Sequence, residues 1–79
     1  MREPTRKELW YHEDQFGEAN DVDGVYISVI DENETGWDVQ VDYDIMEGDD
    51  IVDSVAVAGT LWYDKAEDEF HLNVNGQVY

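Results

Sequence analysis

The sequence predicts an α+β or mainly β fold, with a small antiparallel sheet of about four strands and a short N-terminal helix. Apolar and polar residues alternate along several segments, as they do in strands that bury one face. Gly, Asn and Asp separate these segments and mark turns. A chain of 79 residues allows one domain, residues 1–79, which buries ~60% of the surface that the unfolded chain exposes.

The N-terminal segment carries a helix start signal. Thr5 and Glu8 match a capping box, in which each side chain satisfies a backbone N–H of the other residue. We therefore predict a helix over residues 6–15. In a competing interpretation the first segment is a strand. Residues 9–11 have the same Leu-Trp-Tyr sequence as residues 61–63, and a true internal repeat would make both segments strands.

The clearest strand covers residues 37–45, where apolar and polar residues alternate without exception. The β-branched segment 24–30 precedes it, and the acidic loop 31–36 makes the two a hairpin. Residues 46–50 form a second acidic loop.

The pattern of residues 52–63 predicts a long third strand. A glycine inside a strand often marks a bulge or a bend, so we expect one of these at Gly59. The acidic segment 64–69 turns the chain into a shorter strand at residues 70–74. Asn75 and Gly76 mark another turn, after which residues 77–79 either add an edge strand or trail free. The predicted core combines the apolar faces of these strands: Val39, Val41, Tyr43, Val55, Val57, Phe70 and Leu72.

Charge excludes several classes of partner. The chain has 21 Asp and Glu against 4 Lys and Arg, a net charge of −17. Direct nucleic-acid binding requires Lys and Arg to displace counterions from phosphates, so neither nucleic acid nor an anionic membrane is an expected ligand. No apolar run is long enough to span a bilayer, and no secretory signal is apparent. We expect a soluble, cytoplasmic protein.

The sequence does not predict an enzyme. Catalysis by paired carboxylates needs one of them in an apolar environment, whereas most acids here fall in loops or on solvent faces. Ser28 and Ser54 lie in no glycine-flanked elbow, and neither His12 nor His71 has a sequence context that ties it to them. We predict no catalytic residues and no cofactor.

A metal site is not predicted either. Residues 20–24 place oxygen ligands before a glycine, as a calcium loop does. If Gly24 took the sixth loop position, however, Ala19 would stand first and Ile30 twelfth, so both end ligands would be missing. The chain also has no cysteine, which excludes disulfides and thiolate ligands.

The acidity itself is the remaining functional candidate. Asp38, Asp42 and Asp44 share one face of the predicted second strand, where same-face residues are spaced by ~6.4–6.8 Å. Such a row resembles a phosphate backbone, and the loop that follows extends it. An aromatic side chain opposite the predicted core face could anchor a contact. The predicted partner-binding residues are Asp38, Asp42, Asp44, Glu47, Asp49, Asp50 and Trp62.

In its size, acidity, lack of cysteine and β-rich pattern, the whole chain resembles the small phage-encoded DNA-mimic inhibitors. These include some anti-CRISPR proteins and inhibitors of restriction enzymes and of DNA-repair glycosylases. The resemblance implies a partner that is a basic nucleic-acid-binding protein, such as a host-defence nuclease complex, in the host cytoplasm. These inhibitors share no common motif, so the resemblance assigns no residue.

Two alternatives remain open. Proteins of extreme halophiles carry many carboxylates and few lysines, and this chain has only Lys7 and Lys65. An acidic chaperone or interaction module for basic proteins such as histones would differ from an inhibitor only in its partner. The identity of the partner and the oligomeric state are not predicted.

Overall fold

The fold consists of one helix followed by five strands. A computed structural model describes residues 2–79. The elements are α1 (Arg6–Asn20), β1 (Asp23–Glu32), β2 (Gly36–Glu47), β3 (Asp50–Asp64), β4 (Glu69–Val74) and β5 (Gln77–Val78). The strands form one sheet in the order β1-β2-β3-β4-β5, and every neighbouring pair is antiparallel. The predicted α+β class is confirmed, with five strands where about four were expected, because the last segment pairs with β4.

The capping box starts α1 as predicted. Thr5 is extended and its hydroxyl accepts a hydrogen bond from the Glu8 backbone N–H, while the Glu8 carboxylate accepts one from the Thr5 N–H. The helix continues five residues beyond the predicted end and stops at Asp21, whose left-handed conformation closes it. Its buried residues recur at helical spacing, so the strand interpretation of this segment is wrong: Leu9, His12, Glu13 and Phe16.

The second and third strands form a long hairpin. Their register runs from Gly36 opposite Trp62 to Glu47 opposite Asp50, so the predicted loop at residues 46–50 shrinks to the two residues between them. Gly48 in this turn has a φ of 61°, a conformation that favours glycine. The strongly paired hairpin extends the molecule to 42 Å in its longest dimension.

Of the two alternatives predicted at Gly59, a bulge or a bend, the bulge is wrong. Gly59 lies opposite Val39 within a continuous register, and the irregularity falls instead beside Ile45. Position 59 is instead crowded by the neighbouring strand. A Cβ there would lie 3.0 Å from the Asn73 carbonyl oxygen and 3.0 Å from a Val74 methyl.

The core lies between α1 and the sheet face that carries the odd-numbered residues of β2. Of the predicted core residues, Val39, Val41, Phe70 and Leu72 are buried, and Ile27 and Leu61 are fully buried with them. Tyr43, Val55 and Val57 are only partly buried. They lie nearer the tip of the β2–β3 hairpin, where exposure rises to 60% at Ile51. Within the part of the chain that is described, no helix is long and apolar enough to cross a membrane.

Candidate partner-binding surface

The sheet face opposite α1 carries no helix, and we call it the open face. Alternate residues of a strand share a face, and directly opposite residues of two paired strands point to the same face, as Asp38 and Thr60 do. These two rules assign the side chains of β2 and β3 to the open face. Across the two central strands the open face presents acids and an amide on β2 and small or aromatic residues on β3: Asp38, Gln40, Asp42, Asp44, Ser54, Ala56, Ala58, Thr60 and Trp62.

The three predicted strand acids lie on this face, each held by a neutral hydrogen-bond donor. The Asn33 amide donates to Asp38 at 2.8 Å, the Gln40 amide to Asp42 at 3.0 Å, and the Ser54 hydroxyl to Asp44 at 2.8 Å. Such bonds fix the orientation of a carboxylate without neutralising its charge. The row is therefore ordered and negative.

The remaining predicted acids lie at the tip of the hairpin. Glu47, Asp49 and Asp50 are all exposed, and they continue from the end of the row. The tip also exposes apolar side chains, Ile45, Ile51 and Val52. The structure thus places three of the predicted acids in a row on the open face and the other three at the tip of the hairpin.

Trp62 lies on the open face and is 46% exposed, as predicted. Its partner on β2 is Gly36, which leaves that side of the ring uncovered. On its other side the ring stacks on His71 of β4, with ring centroids 5.4 Å apart. Trp62 is a diagonal neighbour of Asp38 but lies ~40 Å along β3 from Asp50, at ~3.3 Å per residue, so the predicted residues form a line and not a compact cluster.

The ion pairs of Arg2 and Arg6 involve acids other than those of this surface. Residues 8–64 contain no Lys or Arg. Arg2 pairs with Glu8 and with Asp68, and Arg6 pairs with Glu13. Among residues 2–79, none of the six predicted acids forms an ion pair.

Arg2 has a structural role at the opposite end of the molecule. Its guanidinium donates to both oxygens of Glu8 at 2.7 and 2.8 Å and to Asp68 at 2.9 Å. These bonds lower the pKa of Glu8 to about 2. Hydrogen bonds from Tyr63 and then from Arg2 lower the pKa of Asp68 as well. Arg2 thus attaches the segment before α1 to the β3–β4 turn.

A groove of about 580 Å³ lies between α1 and β4, and both histidines are among its lining residues. His12 is buried, with Nδ1 3.0 Å from the backbone oxygen of Tyr79. In the described residues no group of three His, Cys, Asp or Glu side chains could hold a metal ion.

The comparisons with known proteins assign no family. No family model, no curated protein and no solved structure matches the chain.

Sequence reasoning missed two features of this surface. His71 was not predicted as the stacking partner of Trp62, because the pairing of β3 with β4 sets that contact. The second feature is an unpaired edge on β3, since β4 covers only Thr60–Asp64 of that strand. The unequal predicted lengths of the third and fourth strands, residues 52–63 and 70–74, were a signal for it.

Proposed function

We propose that this protein is an acidic nucleic-acid mimic that inhibits a DNA- or RNA-binding protein by occupying its basic cleft. The observation that carries the proposal is the ordered row of carboxylates on the open face, together with three further exposed acids at the hairpin tip. These acids have neutral hydrogen-bond donors or solvent as neighbours, and no cation of the described chain pairs with them. The charge is available to a partner.

The long hairpin suits insertion into a cleft. It projects the tip acids away from the helix-covered core, and the molecule is only 22 × 20 Å across its two shorter axes. An acidic surface of this kind is attracted to a basic cleft over long range, and steered association reaches ~10⁸–10⁹ M⁻¹s⁻¹ at low salt. Trp62, half-exposed beside Asp38, supplies an aromatic contact at the other end of the row.

The test begins with capture of a partner from a nuclease-treated lysate of a plausible host. The captured protein is then titrated with labelled DNA or RNA in competition with wild type or with a sixfold neutralised variant. That variant changes each acid to its amide, which keeps the acceptor oxygen: D38N, D42N, D44N, E47Q, D49N and D50N. We expect wild type to displace the nucleic acid and the variant to have lost most of this ability.

A matched control variant separates location from total charge. It neutralises six exposed acids on the N-terminal arm, the helix, the β1–β2 loop and the β3–β4 turn: E3Q, D14N, E18Q, D21N, E34Q and E67Q. Both variants carry a charge of −11, which is −17 plus six. The proposal predicts that the control competes nearly as well as wild type, and equal loss in both variants would contradict it.

A second candidate is that the acidity adapts a small soluble protein to concentrated salt. The observation that favours it is the spread of exposed carboxylates over elements away from the open face, as at Asp14, Glu34 and Glu67. A salt-adapted protein should need molar salt to fold, whereas a mimic should be folded near ~0.15 M. An acidic module that shields a basic protein such as a histone would pass the competition test too, and the identity of the captured protein distinguishes it.

A further inference from the structure

The longest strand of the sheet is paired along only part of one side. β3 spans Asp50–Asp64 and pairs with β2 over almost its whole length. On its other side β4 begins to pair only at Thr60. Because the chain turns back at Asn75 and Gly76 to form β5, no strand of residues 2–79 lies beside residues 52–58 on this side.

The backbone groups that face this space can be identified. The Tyr63 N–H donates to the Thr35 carbonyl, on the β2 side. Since alternate residues of an antiparallel strand direct both backbone groups to the same neighbour, the odd-numbered residues of this part of β3 face β2. Ser54, Ala56 and Ala58 therefore direct their N–H and C=O groups outward. Consistently, the Ser54 N–H is met by the Asp53 carboxylate at 2.9 Å and not by a strand.

A cavity of about 260 Å³ lies on the core side of the same edge. It is lined by side chains of the helix, the two central strands and the β4–β5 turn, among them Phe16, Tyr43, Val57 and Val74. In sheet-edge addition, backbone hydrogen bonds hold the added strand and pockets for alternate side chains select it. This edge has both features.

On the open face, the side chains of an added strand would point in the same direction as the acids of β2. Ala56 lies directly opposite Asp42, and Ser54 lies opposite Asp44. Small side chains on β3 leave room for a long lysine or arginine on the added strand to extend across them towards these carboxylates. Strands are spaced by ~4.7–4.9 Å, so such a side chain needs to cross a single strand.

Charge argues against a second copy as the occupant. Each copy carries −17, and Asp49, Asp50 and Asp53 lie at the outer end of the free edge. Charged residues on an edge strand are a known means of preventing self-pairing. The same acids favour a basic occupant.

We propose that the free edge of β3 binds an extended basic segment of the partner as an added antiparallel strand. Alternate side chains of the segment would be basic, over the open face, and apolar, in the cavity. The choice of a basic occupant rests on the proposed function above. The contact would fix the register of the mimic in its partner, which the charged row alone does not do.

The test uses a capped synthetic peptide that alternates four lysines with three valines, titrated into the wild-type protein. We expect the amide signals of Ser54, Ala56 and Ala58 to shift in the NMR spectrum and to gain protection from hydrogen exchange. The variant Ala56→Pro removes an outward N–H and obstructs the added strand, and it breaks no bond of the β2–β3 pair. It should weaken peptide binding about tenfold or more, as the loss of one or two net hydrogen bonds does.

A second peptide keeps the test decisive if the proline variant fails to fold. In this peptide the backbone nitrogen of each lysine is methylated. The methyl groups replace the N–H groups that would donate to β3, and the peptide keeps the same charge. We expect it to bind at least about tenfold more weakly than the unmethylated peptide. Equal binding of the two peptides would overturn the proposal, and so would shifts confined to Asp38 and the hairpin tip.

Three further outcomes separate this proposal from others. A wild-type dimer in sedimentation experiments without peptide, abolished by Ala56→Pro, would assign the edge to a second copy and overturn the proposal. Failure of the peptide test while the sixfold variant loses competition with nucleic acid would remove only the edge contact. Failure of the competition test would remove the proposed function even if the peptide bound.

Discussion

Val41→Asp tests the assignment of the two sheet faces. Val41 is fully buried on β2, and a buried valine contributes ~1.5–3 kcal/mol relative to an exposed one. An aspartate there would have to be neutral at pH 7, and raising its pKa by ~3 units costs ~4 kcal/mol. The sum is ~5.5–7 kcal/mol, against ~4–12 kcal/mol expected for a domain of 79 residues. We therefore expect the variant to lose most or all of its stability.

The adjacent residue provides the matched control. Gln40 is exposed on the open face, so Gln40→Asp places the same residue one position away, and the lost hydrogen bond to Asp42 and the added carboxylate repulsion should together cost about 1–2 kcal/mol. Thermal and urea unfolding followed by circular dichroism would compare the three proteins. A cooperative transition of Val41→Asp close to that of wild type would refute the assignment of the faces, as would equal loss of stability in Gln40→Asp.

Three further predictions concern stability. Gly36→Ala should abolish or severely weaken cooperative unfolding, because the added Cβ would lie 1.8 Å from the Leu61 carbonyl oxygen. Gly48→Ala is the control: no atom lies within 4 Å of its added Cβ, so it should cost only about 1 kcal/mol for its left-handed backbone. Similar thermal melts of the two variants would contradict this prediction. Glu8 has a folded-state pKa of about 2 against an ordinary value of 4.5, so its pair with Arg2 stabilises the fold above pH 4.5 and loses this effect as the pH falls to 2. The stability difference between wild type and Arg2→Met should shrink over that interval, and a difference independent of pH would contradict the pairing. Added KCl should raise the melting temperature because it screens repulsion among the carboxylates, and the protein should already be folded at ~0.15 M, where the Debye length is ~8 Å; folding only in molar KCl would favour salt adaptation.

Much of the fold follows from short-range patterns in the sequence. The capping box located the start of α1, and strict alternation at residues 37–45 assigned the faces of β2. Both signals are local. The capping box depends on two residues three positions apart, and the strand faces depend on alternation with a period of two residues. The end of α1 was not predicted, because the helix continues through Gly17, which packs closely against Val22 and Val25.

Long-range features were harder to predict. The role of Gly59 depends on its distance to Asn73, and the stacking of Trp62 on His71 depends on the β3–β4 register. The acids of the row were predicted because alternation alone exposes them. The cavity beside the free edge brings together side chains from four separate segments, and no pattern within one segment encodes it.

The most direct measurement of the central claim is the association rate constant with the captured partner as a function of ionic strength. The claim is that charge at the open face and the hairpin tip steers this protein into a basic cleft. Wild type and the matched control variant should associate fast at low salt and slow steeply as salt is added, and the sixfold neutralised variant should associate more slowly with a much weaker salt dependence. Identical rates and salt dependences for the two variants of equal charge would contradict the claim.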